Sequence, residues 1–192
     1  GQIDRVNTGR RNSPDVGGPT ELRGIDASVN WTVPLADIFG GSSRSRIRLS
    51  NLFSYAIDSK SGGTDFVGIA SAGIGGVTSE YSNTATFAVD HGPFTGQLRW
   101  VYKSGGEDDA FGLDADGQGF TTDVPDLSFF DLSLRMNAGE RFTITGIVNN
   151  LFNKFPKQTV GGTFFEQSNT NVSFFSPLIL GRSYSVQIQT RF

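Results

Sequence analysis

The chain has no cysteine, one histidine and one methionine among its 192 residues. Without cysteine it can hold neither a disulfide framework nor a thiolate metal site. No run of eighteen or so apolar residues occurs, which excludes a transmembrane helix. The slightly negative mean hydropathy does not exclude a membrane-spanning barrel, because apolar and polar residues alternate along such strands and cancel. Basic residues do not outnumber acidic ones, and the net charge of −3 argues against a nucleic-acid partner. From Gly1 onward there is no initiator methionine, basic n-region or apolar h-region, so any targeting segment is expected to lie outside this sequence. No serine–histidine–acid constellation can be drawn around His91, and no Gly-rich phosphate loop follows a strand. Catalytic residues, a cofactor and enzymatic activity are therefore not expected. What is abundant is phenylalanine (17) and glycine (25), with strong helix formers thin, an all-β composition.

The sequence is organised around its last stretch, 181–192. Tyr184, Val186, Ile188, Thr190 and Phe192 fall on one face of an extended strand, and Ser183, Ser185, Gln187, Gln189 and Arg191 fall on the other. A chain that commits Phe192 to an apolar surface differs from the polar, frayed ends of most soluble domains. The same alternation recurs upstream. Residues 1–8 look like the tail of a strand. Ile25, Ala27, Val29, Trp31 and Val33 share a face in the strand 21–33, which Pro34 ends. Ile47, Leu49, Phe53, Tyr55 and Ile57 share one in 44–58, with Asn51 and Leu52 breaking the pattern. Strands 79–90 and 94–103 flank His91-Gly92-Pro93 as a hairpin. Strands 126–138 and 141–152 flank the tight turn Asn137-Ala138-Gly139-Glu140.

The connections carry more information than any one strand. Long ones at 9–20, 59–78, 104–125 and 153–180 alternate with short ones at 34–43, 91–93 and 137–140. In an antiparallel meander successive connections lie at opposite ends of the sheet, so all long loops share one end. Outer-membrane barrels have this asymmetry, with short periplasmic turns and long extracellular loops. The expected fold is all-β: an antiparallel up-and-down meander of about 7–8 long strands forming a partial transmembrane β-barrel. Tyr55, Tyr81, Trp100, Tyr102 and Tyr184 sit near strand ends, as interfacial aromatic girdles require. The opposite face reads as nearly all polar. A soluble β-sandwich binding module is the commoner meaning of alternation alone, and a complete outer-membrane porin or barrel enzyme is a second alternative. Strand length, loop asymmetry and the terminal aromatic favour the partial barrel.

The stretch Gly146-Ile147-Val148-Asn149-Asn150-Leu151-Phe152-Asn153-Lys154-Phe155-Pro156 resembles the penultimate-strand motif of TonB-dependent outer-membrane receptors, G-x-x-N-N-L-F-[DN]-x-x-P. About thirty residues later that family ends in G-R-x-Y-x-x-x-x-x-x-x-F, and Gly181, Arg182, Tyr184 and Phe192 match it. Leu22-Arg23-Gly24-Ile25-Asp26, Asp90-His91-Gly92-Pro93-Phe94 with Leu98-Arg99-Trp100, and Phe129-Phe130-Asp131-Leu132-Ser133 are similar to further strands of the family. The resemblance covers nearly the whole chain.

It implies that residues 1–192 are the carboxy-terminal segment of a larger receptor barrel in the outer membrane of a Gram-negative bacterium, with the plug domain and TonB box absent. Alone, such a segment would expose two sheet edges and is not expected to function. The implied activity is active uptake of a scarce small-molecule ligand, most commonly a ferric siderophore. The implied partners are outer-membrane lipid, the TonB complex through the missing amino-terminal part, and the outer-membrane assembly machinery. Gly181, Tyr184, Val186, Ile188 and Phe192 correspond to the assembly signal, an edge strand readable by strand addition. Phe66, Phe111, Phe120, Phe164 and Phe165 are possible ligand contacts in the long loops. Asn149 and Asn150 read as a cap and bend at the barrel rim. The acidic stretch Asp114-Ala115-Asp116-Gly117 lacks the later ligands of a calcium loop and reads as solvated, so no metal is expected.

Overall fold

The computed structural model describes residues 20–39, 45–61, 63–71, 76–108, 112–113, 119–120, 123–156 and 172–191. Seven long strands form its main sheet: β1 (Glu21–Pro34), β2 (Arg46–Ser61), β6 (Tyr81–His91), β7 (Phe94–Lys103), β12 (Leu127–Ala138), β13 (Phe142–Asn149) and β14 (Ser183–Thr190). Each pairs antiparallel with its sequence neighbour among them, in the order β1-β2-β6-β7-β12-β13-β14. The sheet is open, with β1 and β14 at its edges. This is the expected meander, and a sandwich, which needs its long strands divided between two stacked sheets, is not what forms.

The register gives the sheet two chemically distinct faces. Rows of cross-strand neighbours such as Trp31–Leu49–Phe87–Leu98–Leu132–Val148–Tyr184 run from one edge to the other. The row behind it, Thr32–Arg48–Ala88–Gln97–Ser133–Ile147–Ser185, is mostly polar. Because side chains alternate strictly, one slip in any pairing would mix the two faces. The apolar face is uncovered: Val186 and Ile188 are 74% and 66% exposed. The interruption at Asn51 is resolved on that face, where its amide donates to Asn83 Oδ1 at 2.8 Å.

Aromatic rings collect at one end of the apolar face. Tyr55 stacks on Tyr81 at 5.2 Å, Trp100 on Phe130 at 6.2 Å and tilts toward Tyr102 at 6.1 Å, and Phe152 meets Phe130 edge-on at 5.4 Å. Offset and edge-to-face arrangements of this kind satisfy the ring quadrupoles.

The tight turns follow their sequence signals. Gly92 has φ 56° in the two-residue turn between β6 and β7, and Gly139 has φ 66° between β12 and β13. Between β1 and β2 lies a short helix, α1 (Leu35–Phe39). A register shift at Arg23/Gly24 marks a bulge against β2, where a side chain on Gly24 would meet the Tyr55 carbonyl at 2.8 Å.

Four expectations need correction. The strand expected over 141–152 stops at Asn149, because Asn150 enters the left-handed region (φ 51°) and turns the chain. The second strand runs on to Ser61 instead of ending at Asp58, held there by β3 (Thr64–Asp65). The stretches 59–78 and 104–125, expected as irregular loops, contain β4 (Ile69–Ser71), β5 (Gly76–Val77), β8 (Gly106–Asp108), β9 (Gly112–Leu113), β10 (Gly119–Phe120) and β11 (Asp123–Val124). The strands β11-β8-β4-β5 form a second small sheet, in which β4 and β8 run parallel and tie the two connections together.

The fourth correction concerns the polar face, which is not polar throughout. At the long-connection end it carries Val101, Leu127 and Phe129. A short helix α2 (Val172–Phe175) and the 3-10 turn Ser176–Leu178 bring Phe174, Phe175 and Leu178 onto them. Val124, Leu127, Phe129, Phe174, Phe175 and Leu178 form a buried apolar cluster, with Val101 partly buried against it. Side chains that would be stranded on a wet surface are thereby removed from water.

Candidate functional site

Asp131, Asn149, Asn150, Asn153, Gly181 and Arg182, all singled out in sequence, meet at the rim at the long-connection end. Asp131 of β12 is 8% exposed. Its Oδ2 accepts from Arg99 Nη2 at 2.6 Å and Nε at 3.1 Å, and its Oδ1 accepts the Asn150 backbone N–H at 2.8 Å. A carboxylate taken this far out of water is stabilised by charge-assisted donors of that kind. Arg99 comes from the hairpin stretch, Asp131 from the β12 stretch and Asn150 from the penultimate-strand stretch, so one ion pair joins three segments.

Asn150, 1% exposed, closes the turn with its side chain. Its Nδ2 donates to the Lys154 carbonyl at 2.6 Å and its Oδ1 accepts the Lys154 N–H at 2.9 Å. Asparagine fits both demands, a left-handed backbone and an amide that mimics a peptide group. Asn153 (φ 53°) repeats the device: its Oδ1 accepts the Arg182 N–H at 2.8 Å. Lys154 Nζ reaches the Ser128 carbonyl at 3.0 Å. Gly181 is buried against this turn with φ 66°, and a side chain there would meet Asn153 Oδ1 at 3.0 Å and the Phe155 ring at 3.1 Å. The two stretches that carry the family resemblance therefore interlock. Asn149 donates from Nδ2 to Ser183 Oγ at 3.2 Å, and Arg182 lies 3.4 Å from the Tyr184 hydroxyl.

Among the other expected positions, Gly146 leaves an apolar notch of about 180 Å³ between Leu134 and Val186 on the apolar face. Tyr184, Val186 and Ile188 all stand exposed on β14. Leu151 donates its N–H to the Phe130 carbonyl at 2.7 Å, Phe152 sits in the aromatic band, and Pro156 is half-buried just after the turn. Phe66 is half-buried between β3 and β4. Phe111, Phe164, Phe165 and Phe192 lie outside the described residues, as does the side chain of Phe120. So do the acidic stretch 114–117 and residues 1–19. His91 ends β6, where its Nδ1 hydrogen-bonds with Ser45 Oγ.

The sequence reading missed a groove of about 710 Å³ beneath the small sheet, lined by Glu80, Tyr81, Tyr102, Glu107 and Asp126 and by the backbone of 104–106. Tyr102 donates its hydroxyl proton to Asp126 Oδ2 at 2.9 Å, and Gly105 donates its N–H to Asp126 Oδ1 at 2.9 Å. Carboxylates and phenols in such a groove suit a cationic or hydroxyl-rich group. The available signal was that both tyrosines end strands at the long connections. Phe66 does not line it, although its neighbour Val67 does. No group of three or more histidine, cysteine, aspartate or glutamate residues suited to a metal ion occurs among the described residues.

Compared with known proteins, the chain matches no protein-family model, no curated protein and no solved structure.

Proposed function

We propose that the chain is part of the barrel of a TonB-dependent outer-membrane receptor that takes up a scarce ligand, with ferric siderophores the leading class. The observation that carries the reading is the rim junction. Arg99, Asp131 and the pair Asn150 and Asn153 belong to three stretches that each resemble the family and are joined by hydrogen bonds at one end of one sheet, where Gly181 of a fourth stretch packs against Asn153 and its neighbour Arg182 donates its N–H to Asn153 Oδ1. The meander supports it with an uncovered apolar face edged by aromatic rings, which suits lipid contact. In this reading the apolar face meets lipid, the polar face lines the lumen, and the long-connection end faces outward. The groove beneath the small sheet is then placed to meet ligand arriving from outside.

The test is uptake. Iron-starved cells producing the full-length protein that carries this chain should import ⁵⁵Fe as a hydroxamate, catecholate or citrate chelate. Import should fall to background when TonB is deleted. Entry that continues unchanged without TonB would instead fit a passive pore and sink the receptor reading.

A further inference from the structure

Strand register sets two arginines directly opposite one another. The β13–β14 pairing places Phe142 against Thr190, and one step further the Arg191 N–H donates to the Arg141 carbonyl at 2.9 Å. Like charges facing each other across a strand pair are destabilising. Elsewhere the sheet answers its arginines with carboxylates: Arg23 meets Asp58, Arg46 and Arg48 share Asp90, and Arg99 holds Asp131. Arg141 and Arg191 have no side-chain hydrogen bond or ion pair among the described residues. Neither has Arg135, which the alternation puts on the same face.

The three arginines border one notch of about 260 Å³ at the turn between β12 and β13. A water's share of the liquid is about 30 Å³, so the notch has room for a small ion. Neutral donors complete its wall. Thr143 donates to Asn137 Oδ1 at 3.1 Å, which leaves the Asn137 NH₂ and the Gln189 amide for other partners. Glu140 also borders the notch and forms no ion pair among the described residues. Three guanidiniums against one carboxylate leave two positive charges round one concavity, which raises its potential.

We propose that the notch binds the phosphoryl group of a small, water-soluble phosphate monoester. Such a group carries about −1.5 to −2 charge at neutral pH and three acceptor oxygens, which matches the charge left over. A carboxylate has two oxygens in one plane and fills one guanidinium fork, whereas phosphoryl oxygens meet forks arriving from several strands. The opposed pair Arg141 and Arg191 thereby gains the counter-ion that its own sheet does not supply. A lipid phosphate is the other source of this chemistry. The soluble ester is favoured because Thr143 and Gln189 put the notch on the polar face, opposite Val186 and Ile188. The inference rests on register and charge and does not depend on the receptor reading.

The test uses the full-length protein that carries this chain, purified in detergent, with glycerol phosphate as the probe. Calorimetric titration at constant ionic strength should show saturable binding, about tenfold or more tighter than acetate, and the probe should raise Tm by mass action. The triple variant R135Q/R141Q/R191Q should weaken binding about tenfold or more, and R191K, which keeps the charge but loses the fork, by about threefold. R182Q, at the opposite end, should bind as wild type does. Should the triple variant fail to fold, R191Q carries the test with about a fivefold loss expected. Without probe, R191Q should melt at or above the wild-type Tm, because it relieves the opposed charges. A clear drop would mean that Arg191 serves a structural partner and would overturn the site. Equal affinity of wild type and the variant tested, or of glycerol phosphate and acetate, would overturn it as well. Arginine-dependent binding of phosphatidic acid in the micelle, with none of glycerol phosphate, would assign the notch to lipid and overturn the soluble source. Uptake is not read in this assay, so the two readings fail separately.

Discussion

Gly181 is tightly constrained at the rim. Its φ of 66° lies where side chains are disfavoured, and the space a Cβ would need is bordered by Asn153 Oδ1 and the Phe155 ring. Gly181→Ala should therefore destabilise by about 1–3 kcal/mol, read as a lower Tm of the detergent-solubilised protein. An unchanged Tm would mean that the turn relaxes freely. That a glycine and two asparagines matter here was legible in sequence, since Asn and Gly are the residues that tolerate left-handed backbone. Their partners were not legible. Asp131 lies 19 positions before Asn150, and nothing local in either stretch says that the carboxylate will accept the amide N–H. Long-range pairing belongs to the register of the whole sheet.

At the scale of elements, the seven long strands were readable because a period of two sustained over eight to sixteen residues admits few alternatives. The strands inside the long connections were not, because two or three residues have no period to recognise. The helical turn over 172–178 escaped for a related reason: its apolar residues Val172, Phe174, Phe175 and Leu178 span about two turns, too short a run for helical spacing to stand out. Its packing gives a prediction. Phe175 is 2% exposed, and truncating a buried phenylalanine costs about 3–5 kcal/mol in a closed core, more than a short helical turn can hold by itself. Phe175→Ala should free this segment from the sheet. New protease cleavage within 172–180 should appear while the main sheet stays intact, and protection equal to wild type would contradict the packing described.

For the whole molecule, the decisive property is that its two faces differ in chemistry, one apolar and exposed and the other mostly polar. Val186 and Gln187 are adjacent on β14, equally near the sheet edge and both exposed. If the apolar face meets lipid, Val186→Arg places a charge in hydrocarbon at a cost of about 2–4 kcal/mol near the midplane. Gln187→Arg places the same charge on the wet side. The expected outcome is a sharp loss of the membrane-inserted, heat-modifiable form for Val186→Arg and near-normal insertion for Gln187→Arg. Equal tolerance of both would remove the lipid-facing assignment.

The connection between β13 and β14 also bears on the order in which the sheet can be assembled. The hairpin β6–β7 closes over two residues, Gly92 and Pro93, whereas β14 reaches its place only after 150–182 has been looped out. That is about four doublings in loop length, each adding about 0.6 kcal/mol of closure entropy, so the last pairing is the costliest of the series. The turn at Asn150, the seat of Gly181 and the helical segment seated on Phe129 would shorten the effective loop that β14 must close if they form first. Were the rim contacts formed early, they would lower the closure entropy left for the strand with the longest connection to its partner.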